Sequence, residues 1–352
     1  MTATLPRPDE LVWPVPRMRI KRRGVLLTLL LAAIVVIAAL VELASGPYFI
    51  TLADVAQVVV GGGDRIDRVT VLDWRMPRVL VGLGVGVALG AAGAITQSLA
   101  RNPLASPDLL GVSMGASAAA VTMLVLLPAG LVIGGVTVGT LGAAFLGGIL
   151  VSVVITALAY RGGLESMRLV LIGVGVNALA SAVISLMLVQ SRLAQAADVV
   201  SWLTGSLEAR TWGQVVPLWI TIGVGMSLIA LAAFDFRLTH LGDAVSRALG
   251  VPVRTTLLLL WIPAVVMTAA TVAAAGPITF VALAAPQLAR LLYRSPTPPV
   301  IGSALVAAAL VLYADLLARY ALGSAPVGIV TSALGAPFLL VLLIRVNRKV
   351  TV

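Results

Sequence analysis

The hydrophobic positions fall into long apolar runs separated by short polar stretches. The first covers 24–43 and follows a polar, proline-rich tail that ends in the basic cluster Arg19–Arg23. Further runs cover 78–99, 108–127, 133–160, 167–190, 212–234, 255–274, 299–320 and 327–346. Each is long enough to cross a bilayer as a helix, which takes about 17–25 residues. Another run, 277–292, is shorter and carries Pro277 and Pro286. Barrel strands would show as short segments of alternating polarity, so these runs predict helices. The expected architecture is an all-α polytopic membrane protein with ten spans over 24–346, between tails at 1–23 and 347–352. The first run exceeds the apolar core of a signal peptide and no A-x-A site follows it, so it is expected to be retained as a span.

Small residues recur at four-residue spacing. Gly82, Gly86, Gly90 and Ala94 predict one close-packing helix face, and Gly135, Gly139, Ala143 and Gly147 another. AAGAITQSLA (91–100) and AAAGPITFVALAAP (273–286) echo each other. Spans 2–5 and 7–10 are therefore expected to form an inverted repeat.

Composition sharpens this picture. The chain of 352 residues is 60% hydrophobic and 11% charged, against about 25% charged in soluble domains. It has no cysteine, and its single histidine, His240, excludes a histidine-based metal cluster. The net charge of +10 does not point to nucleic acid, because the arginines are scattered without a basic stripe or an aromatic platform. Most Lys and Arg fall on the side of the N-terminal tail. The exceptions are Arg65, Arg68, Arg75, Arg78, Arg192, Arg210 and Arg319. The positive-inside rule then puts both termini in the cytoplasm.

Candidate chemistry is sparse. Gly111-Val112-Ser113-Met114-Gly115 spells a G-x-S-x-G nucleophile motif. No strand precedes it, and no acid is placed to orient a Ser113–His240 pair, so Ser113 is expected to be a packing residue. The chain lacks a phosphate-binding loop, and its two lysines, Lys21 and Lys349, follow no glycine-rich segment. ATP and Mg, if used, must sit on another subunit. Asp315 is the intramembrane acid best placed for a proton relay, but Arg319 follows it by four residues on the same helical face, which predicts an ion pair instead. Asn177, Ser181 and Ser185 form a polar stripe along span 5, expected to face protein or a water-filled path. Asn102 is expected to satisfy backbone groups beside Pro103.

From Trp74-Arg75-Met76-Pro77-Arg78 onward the chain resembles the FecCD/BtuC family, the permease subunits of bacterial ABC importers for iron-siderophores, haem and vitamin B12. The resemblance runs in order through RMPRVLVGLGVGVALGAAGAITQSLARNPLASPDLLGVSMGAS (75–117), LGVPVR (249–254), AAGPITFVALAAPQLAR (274–290), ADLLAR (314–319) and PVGIVTSALGAPFLLVLL (326–343). It implies a type II importer bundle paired with a second permease, two ATPase copies below and a siderophore-binding protein outside. It implies that Arg75, Arg78 and Arg319 dock the binding protein. The loop 235–254 would couple to the ATPase through His240, Asp243, Arg247, Leu249 and Gly250. Ser166 and Met167 would narrow an inner gate. Asn177, Ser181 and Ser185, with Thr331 and Ser332 of span 10, would line the pathway. Gln287 stands where many relatives carry histidine. That form resembles the second permease of ferric-enterobactin-type systems, which implies a heterodimer carrying a ferric siderophore. Cobalamin or haem import, and ion-coupled secondary transport, are the alternatives.

Overall fold

The computed structural model describes residues 22–133, 136–159 and 166–347. Each of the apolar runs becomes a helix. They are α1 (Arg22–Ala44), α4 (Met76–Leu99), α5 (Val112–Leu126), α6 (Thr140–Ala159), α7 (Ser166–Gln190), α9 (Trp212–Leu231), α12 (Val253–Ala275), α13 (Val281–Tyr293), α14 (Val300–Ala321) and α15 (Val327–Asn347). Among the described residues, seven helices are long and apolar enough to cross a membrane, and α5, α13 and the stretch Val327–Leu340 of α15 are shorter apolar segments. Between them lie α2 (Leu52–Val59), α3 (Arg65–Arg68), α8 (Leu193–Leu203), α10 (Ala233–Thr239) and α11 (Asp243–Ala248). A π-helical turn, Val69–Arg75, joins α3 to α4.

One predicted span is corrected. Residues 133–160 do not form one helix. An antiparallel hairpin, β1 (Leu131–Ile133) and β2 (Val136–Val138), comes first and pairs Ile133 with Val136. Gly139 therefore precedes α6, Gly135 lies outside the described residues, and only Ala143 and Gly147 of that set share a helix face. The β-branched residues Val132, Ile133, Val136, Thr137 and Val138 favour extended strands over a helix.

Helix α4 is the axis of the bundle, and most of its residues are buried. Its glycine face meets α14 as expected. A methyl group at Gly86 would overlap the backbone of Ala308, and one at Gly90 the carbonyl of Ser303. With no side chain between them, the two backbones touch, which maximises dispersion contact where lipid offers no hydrophobic gradient.

The packing pattern also carries an internal repeat. Exchanging α4, α5, α6 and α7 for α12, α13, α14 and α15 maps each contact onto another. The α4–α14 contact becomes α12–α6, α4–α13 becomes α12–α5, α5–α6 becomes α13–α14, α5–α7 becomes α13–α15, and α6–α7 becomes α14–α15. The α4–α12 contact maps onto itself and marks the pseudo-axis. Helix α1 packs mainly on α14, whereas α9 packs on α12 and α4, so the first and sixth spans stand outside the relation.

Candidate functional site: a charged end, a hydroxyl-lined cavity and an exposed short helix

The arginines expected to dock a partner gather at one end of the bundle, each in a different environment. Arg78 makes a two-pronged ion pair with Asp315, with Nε donating to Oδ2 at 2.8 Å and Nη2 to Oδ1 at 2.9 Å. This corrects the Asp315–Arg319 expectation. The partner comes from α4 across the closest helix contact, and a planar guanidinium fits a carboxylate fork better than an i, i+4 neighbour can. Asp315 is 1% exposed, so the pair joins α4 to α14 in a low-dielectric setting.

Arg75 does not present a free charge. It is buried, and its guanidinium donates to the carbonyls of Leu43 (2.7 Å), Ala44 (3.0 Å) and Tyr48. The first two are carbonyls of the last turn of α1, where helix acceptors lack intrahelical partners, so Arg75 acts as a C-terminal cap supplied by another helix, sharing Ala44 O with Ile50 N. Gly46 leaves room for it: a Cβ there would sit 2.7 Å from Nη2. Arg319 is half-buried, donates to Ser45 O at 3.3 Å, and lies 5.5 Å from the Tyr320 ring centroid.

Sequence reasoning missed Glu42. It closes the buried face Leu31, Val35, Ala38, Glu42 of α1. It is fully buried, and both carboxylate oxygens lack a hydrogen-bond partner. The charges of Asp315, Arg78 and Arg319 act on it. The signal was available in the periodicity, since 31, 35, 38 and 42 share one helical face.

The polar stripe is split between two tasks. Asn177 Nδ2 donates to Leu109 O at 2.9 Å, fastening α7 to the loop before α5. Ser181 and Ser185 are exposed on α7 and line a cavity of about 570 Å³ with Thr204, Thr279 and Ser332. Thr279 and Ser332 share a hydrogen bond at 2.7 Å. Among the described residues, no charged side chain lines this cavity. Thr331 does not belong to the lining: it is buried, and its hydroxyl donates to Gly328 O at 3.1 Å. Ser166 and Met167 open α7, and their side chains lie outside the described residues.

At the opposite end, α11 begins at Asp243, whose side chain also lies outside the described residues. Gly250 ends the turn at φ +81, with Gly250 N bonded to Arg247 O and Val251 N to Ser246 O, each at 3.0 Å. Arg247 is exposed, and Val245 and Leu249 expose 48% and 57% of their surfaces at i, i+4. Apolar side chains displayed beyond the ends of the spans suit a protein contact. His240 packs against Phe236, ring centroids 4.9 Å apart. Burial and the nearby charge of Arg101 hold its imidazole below the usual range, so it is neutral at pH 7. Asn102 Oδ1 accepts from Leu104 N at 2.9 Å, the backbone role expected of it.

Ser113 does have an acid beside it, contrary to expectation. Its hydroxyl donates to Asp108 Oδ1 at 2.5 Å. Burial pushes the Asp108 carboxyl up to about 6, against the lowering effect of that hydrogen bond. His240, however, packs in a groove between α9, α10 and the start of α14 rather than on Ser113. The pair pins the entry to α5, where Gly111 adopts φ +90. Gln287 is buried between α13 and α4, where it donates to Gln97 Oε1, while Gln97 Nε2 donates to Leu283 O at 3.0 Å.

Comparison with known proteins agrees with this architecture. The chain is 39% identical over 332 residues to the ferric enterobactin transport system permease protein FepG of Escherichia coli (strain K12), covering 94% of this chain and 99% of that one. It is 35% identical over 330 residues to the probable siderophore transport system permease protein YfhA of Bacillus subtilis (strain 168), covering 92% and 94%. A solved structure of a metal-chelate type ABC transporter, in an inward-facing conformation, aligns with a TM-score of 0.77 at 24% identity over 90% of this chain and 98% of that one. The bundle thus has the fold of a type II ABC importer permease. The description of the FecCD transport family matches residues 32–345, and this chain belongs to that family.

Proposed function

We propose that the chain is the membrane-spanning permease subunit of an ABC importer that carries a ferric siderophore into a bacterial cell. The observation that carries this reading is the relative named for ferric enterobactin transport, aligned over nearly the whole of both chains. The cavity chemistry is compatible with it. A wall that mixes hydroxyls with apolar side chains such as Met114, Leu203 and Ile329, and carries no charge among the described residues, holds a bulky chelate weakly, and weak interaction is what passage requires.

Both termini lie in the cytoplasm, and the bundle has ten spans. A second, homologous permease of different sequence closes the pathway against α7 and α15. Two copies of an ATPase bind below, supplying ATP and Mg on their own surfaces; this chain binds no cofactor. The α11 segment, with His240, Asp243, Arg247, Leu249 and Gly250, transmits ATPase movement to the bundle. Ser166 and Met167 narrow the inner gate. Each half then moves as a rigid body between inward- and outward-facing states.

Deleting the gene in iron-starved cells should abolish uptake of labelled iron from one ferric-siderophore class, and restoring it should recover uptake. Unchanged iron uptake together with lost cobalamin or haem uptake would replace the cargo, and no loss of any of the three would sink the proposal.

A siderophore-binding protein docks at the charged end, where Arg319 carries the least committed of the three guanidinium groups: Arg75 holds three carbonyls and Arg78 the Asp315 carboxylate, against one long hydrogen bond from Arg319 to Ser45 O. Arg319→Gln should slow association with the loaded binding protein roughly five-fold at low salt, the gap closing as salt is raised. An unchanged association rate at low salt would remove Arg319 from the interface.

A further inference from the structure

The hydroxyl-lined cavity is not the only concave surface. A groove of about 460 Å³ runs along the end of α9, through α10, against the start of α14. Met226, Ile229 and Ala230 face Val300 and Ile301 across its apolar length. Arg237 closes one end with His240 and Thr297, and among the described residues no acidic side chain lines it. We infer that this groove binds one anionic phospholipid, with an acyl chain in the apolar channel and its phosphate at Arg237.

Two observations favour a lipid as the occupant. The surroundings are apolar yet bare: Leu231 is 80% exposed, Phe234 73% and Ile301 62%. Such a surface at the end of a membrane-crossing helix meets acyl chains. Met226 lies in the last turns of α9 and Arg237 in α10, beyond the turn at Ala232; at about 1.5 Å per helical residue they are separated by no more than roughly 16 Å, the depth of one leaflet of a ~30 Å hydrocarbon core. An acyl chain in the channel therefore brings its phosphate to the level of Arg237.

The electrostatics choose the headgroup. Arg237 is exposed and makes no ion pair among the described residues. The first turn of α14, a helix of 22 residues, opens on the same groove at Val300 and Ile301. Its unpaired N–H groups add positive potential. The charge of Arg101 also reaches His240. A zwitterionic headgroup brings a choline or amine cation into this field, whereas an anionic one does not.

The test is native mass spectrometry of the purified full-length chain in neutral detergent, titrated with phosphatidylglycerol or phosphatidylcholine. The expected result is one retained phosphatidylglycerol, bound at least five-fold more tightly than phosphatidylcholine. Arg237→Gln should lower phosphatidylglycerol affinity roughly five-fold, the weight of one basic side chain near an anionic lipid. Ala230→Trp should abolish retention of either lipid, because Ala230 is exposed and lines the channel, so the indole fills the groove without disturbing the core.

Equal retention of the two lipids by the wild-type chain would overturn the proposal without any variant. So would unchanged affinity in Arg237→Gln, or displacement of phosphatidylglycerol by inorganic phosphate alone. The same variants, reconstituted with their ATPase in phosphatidylcholine vesicles, supply the last arm. ATPase attachment lost in Ala230→Trp there would make the groove a protein contact and sink the lipid assignment; attachment retained supports it.

Discussion

Arg78→Ala is expected to lower stability by roughly 3–5 kcal/mol, because it breaks a buried ion pair and leaves the other charge behind. Asp315 is 1% exposed, and Arg78 is its sole salt-bridge partner among the described residues. Glu42, fully buried without a hydrogen-bond partner, lies in the same field. Two buried carboxyls would then have only Arg319 as the nearby cation of those that act on Glu42. The 22% exposure of the Arg78 side chain puts the loss nearer the lower bound. Thermal unfolding in detergent reads the effect. Replacing both partners with apolar side chains of similar volume, Arg78→Met with Asp315→Leu, should recover most of the loss, since no charge is then stranded. A single variant as stable as the wild type would mean that the pair does not hold α4 to α14. The same geometry weighs against ion-coupled transport. Asp315, the acid best placed by sequence for a proton relay, is held by two hydrogen bonds to a guanidinium.

Gly90→Leu should prevent accumulation of folded protein altogether. Ordinary overpacking costs about 1–3 kcal/mol, because neighbouring side chains move aside. Here even the first added carbon meets the backbone carbonyl of Ser303, which cannot move without separating α4 from α14. Gly223→Leu on α9 is the matched control, since nothing lies within 4 Å of a Cβ there. Fluorescence-detected gel filtration of both variants decides the matter. A Gly90→Leu protein that elutes like Gly223→Leu would show that the small-residue face is dispensable.

Much of the fold was legible in the sequence because the bilayer constrains it so heavily. Lipid requires every backbone polar group in a span to be satisfied within its own segment. Long apolar runs therefore read directly as helices, and each of the ten runs contains one. The glycine face of α4 was legible for a similar reason, since four-residue spacing projects small residues onto one stripe. The Gly250 turn was legible because a positive φ at the end of a short helix favours glycine.

The failures share a cause. Asp315 and Arg319 are neighbours by local spacing, yet Asp315 belongs to Arg78, 237 residues away along the chain. Ser332 and Thr331 are adjacent, but helix rotation turns one into the cavity and the other into the core. The hairpin at 131–138 was hidden inside a run whose length alone favoured a span. Ser113 and Asp108 meet only because the chain turns sharply at Gly111.

The sequence by itself determined the membrane environment, the helices, the order of the spans, the close-packing face and the resemblance to a transport family. These follow from composition and from periodicity within single segments. Only the tertiary structure decided which arginine meets which acid, which hydroxyls face the cavity, that Glu42 is buried among charges, and that α9 and α14 leave a groove between them. Those depend on how helices distant in sequence rotate and lean against one another. That arrangement is set by the sum of many weak contacts, which no local pattern records.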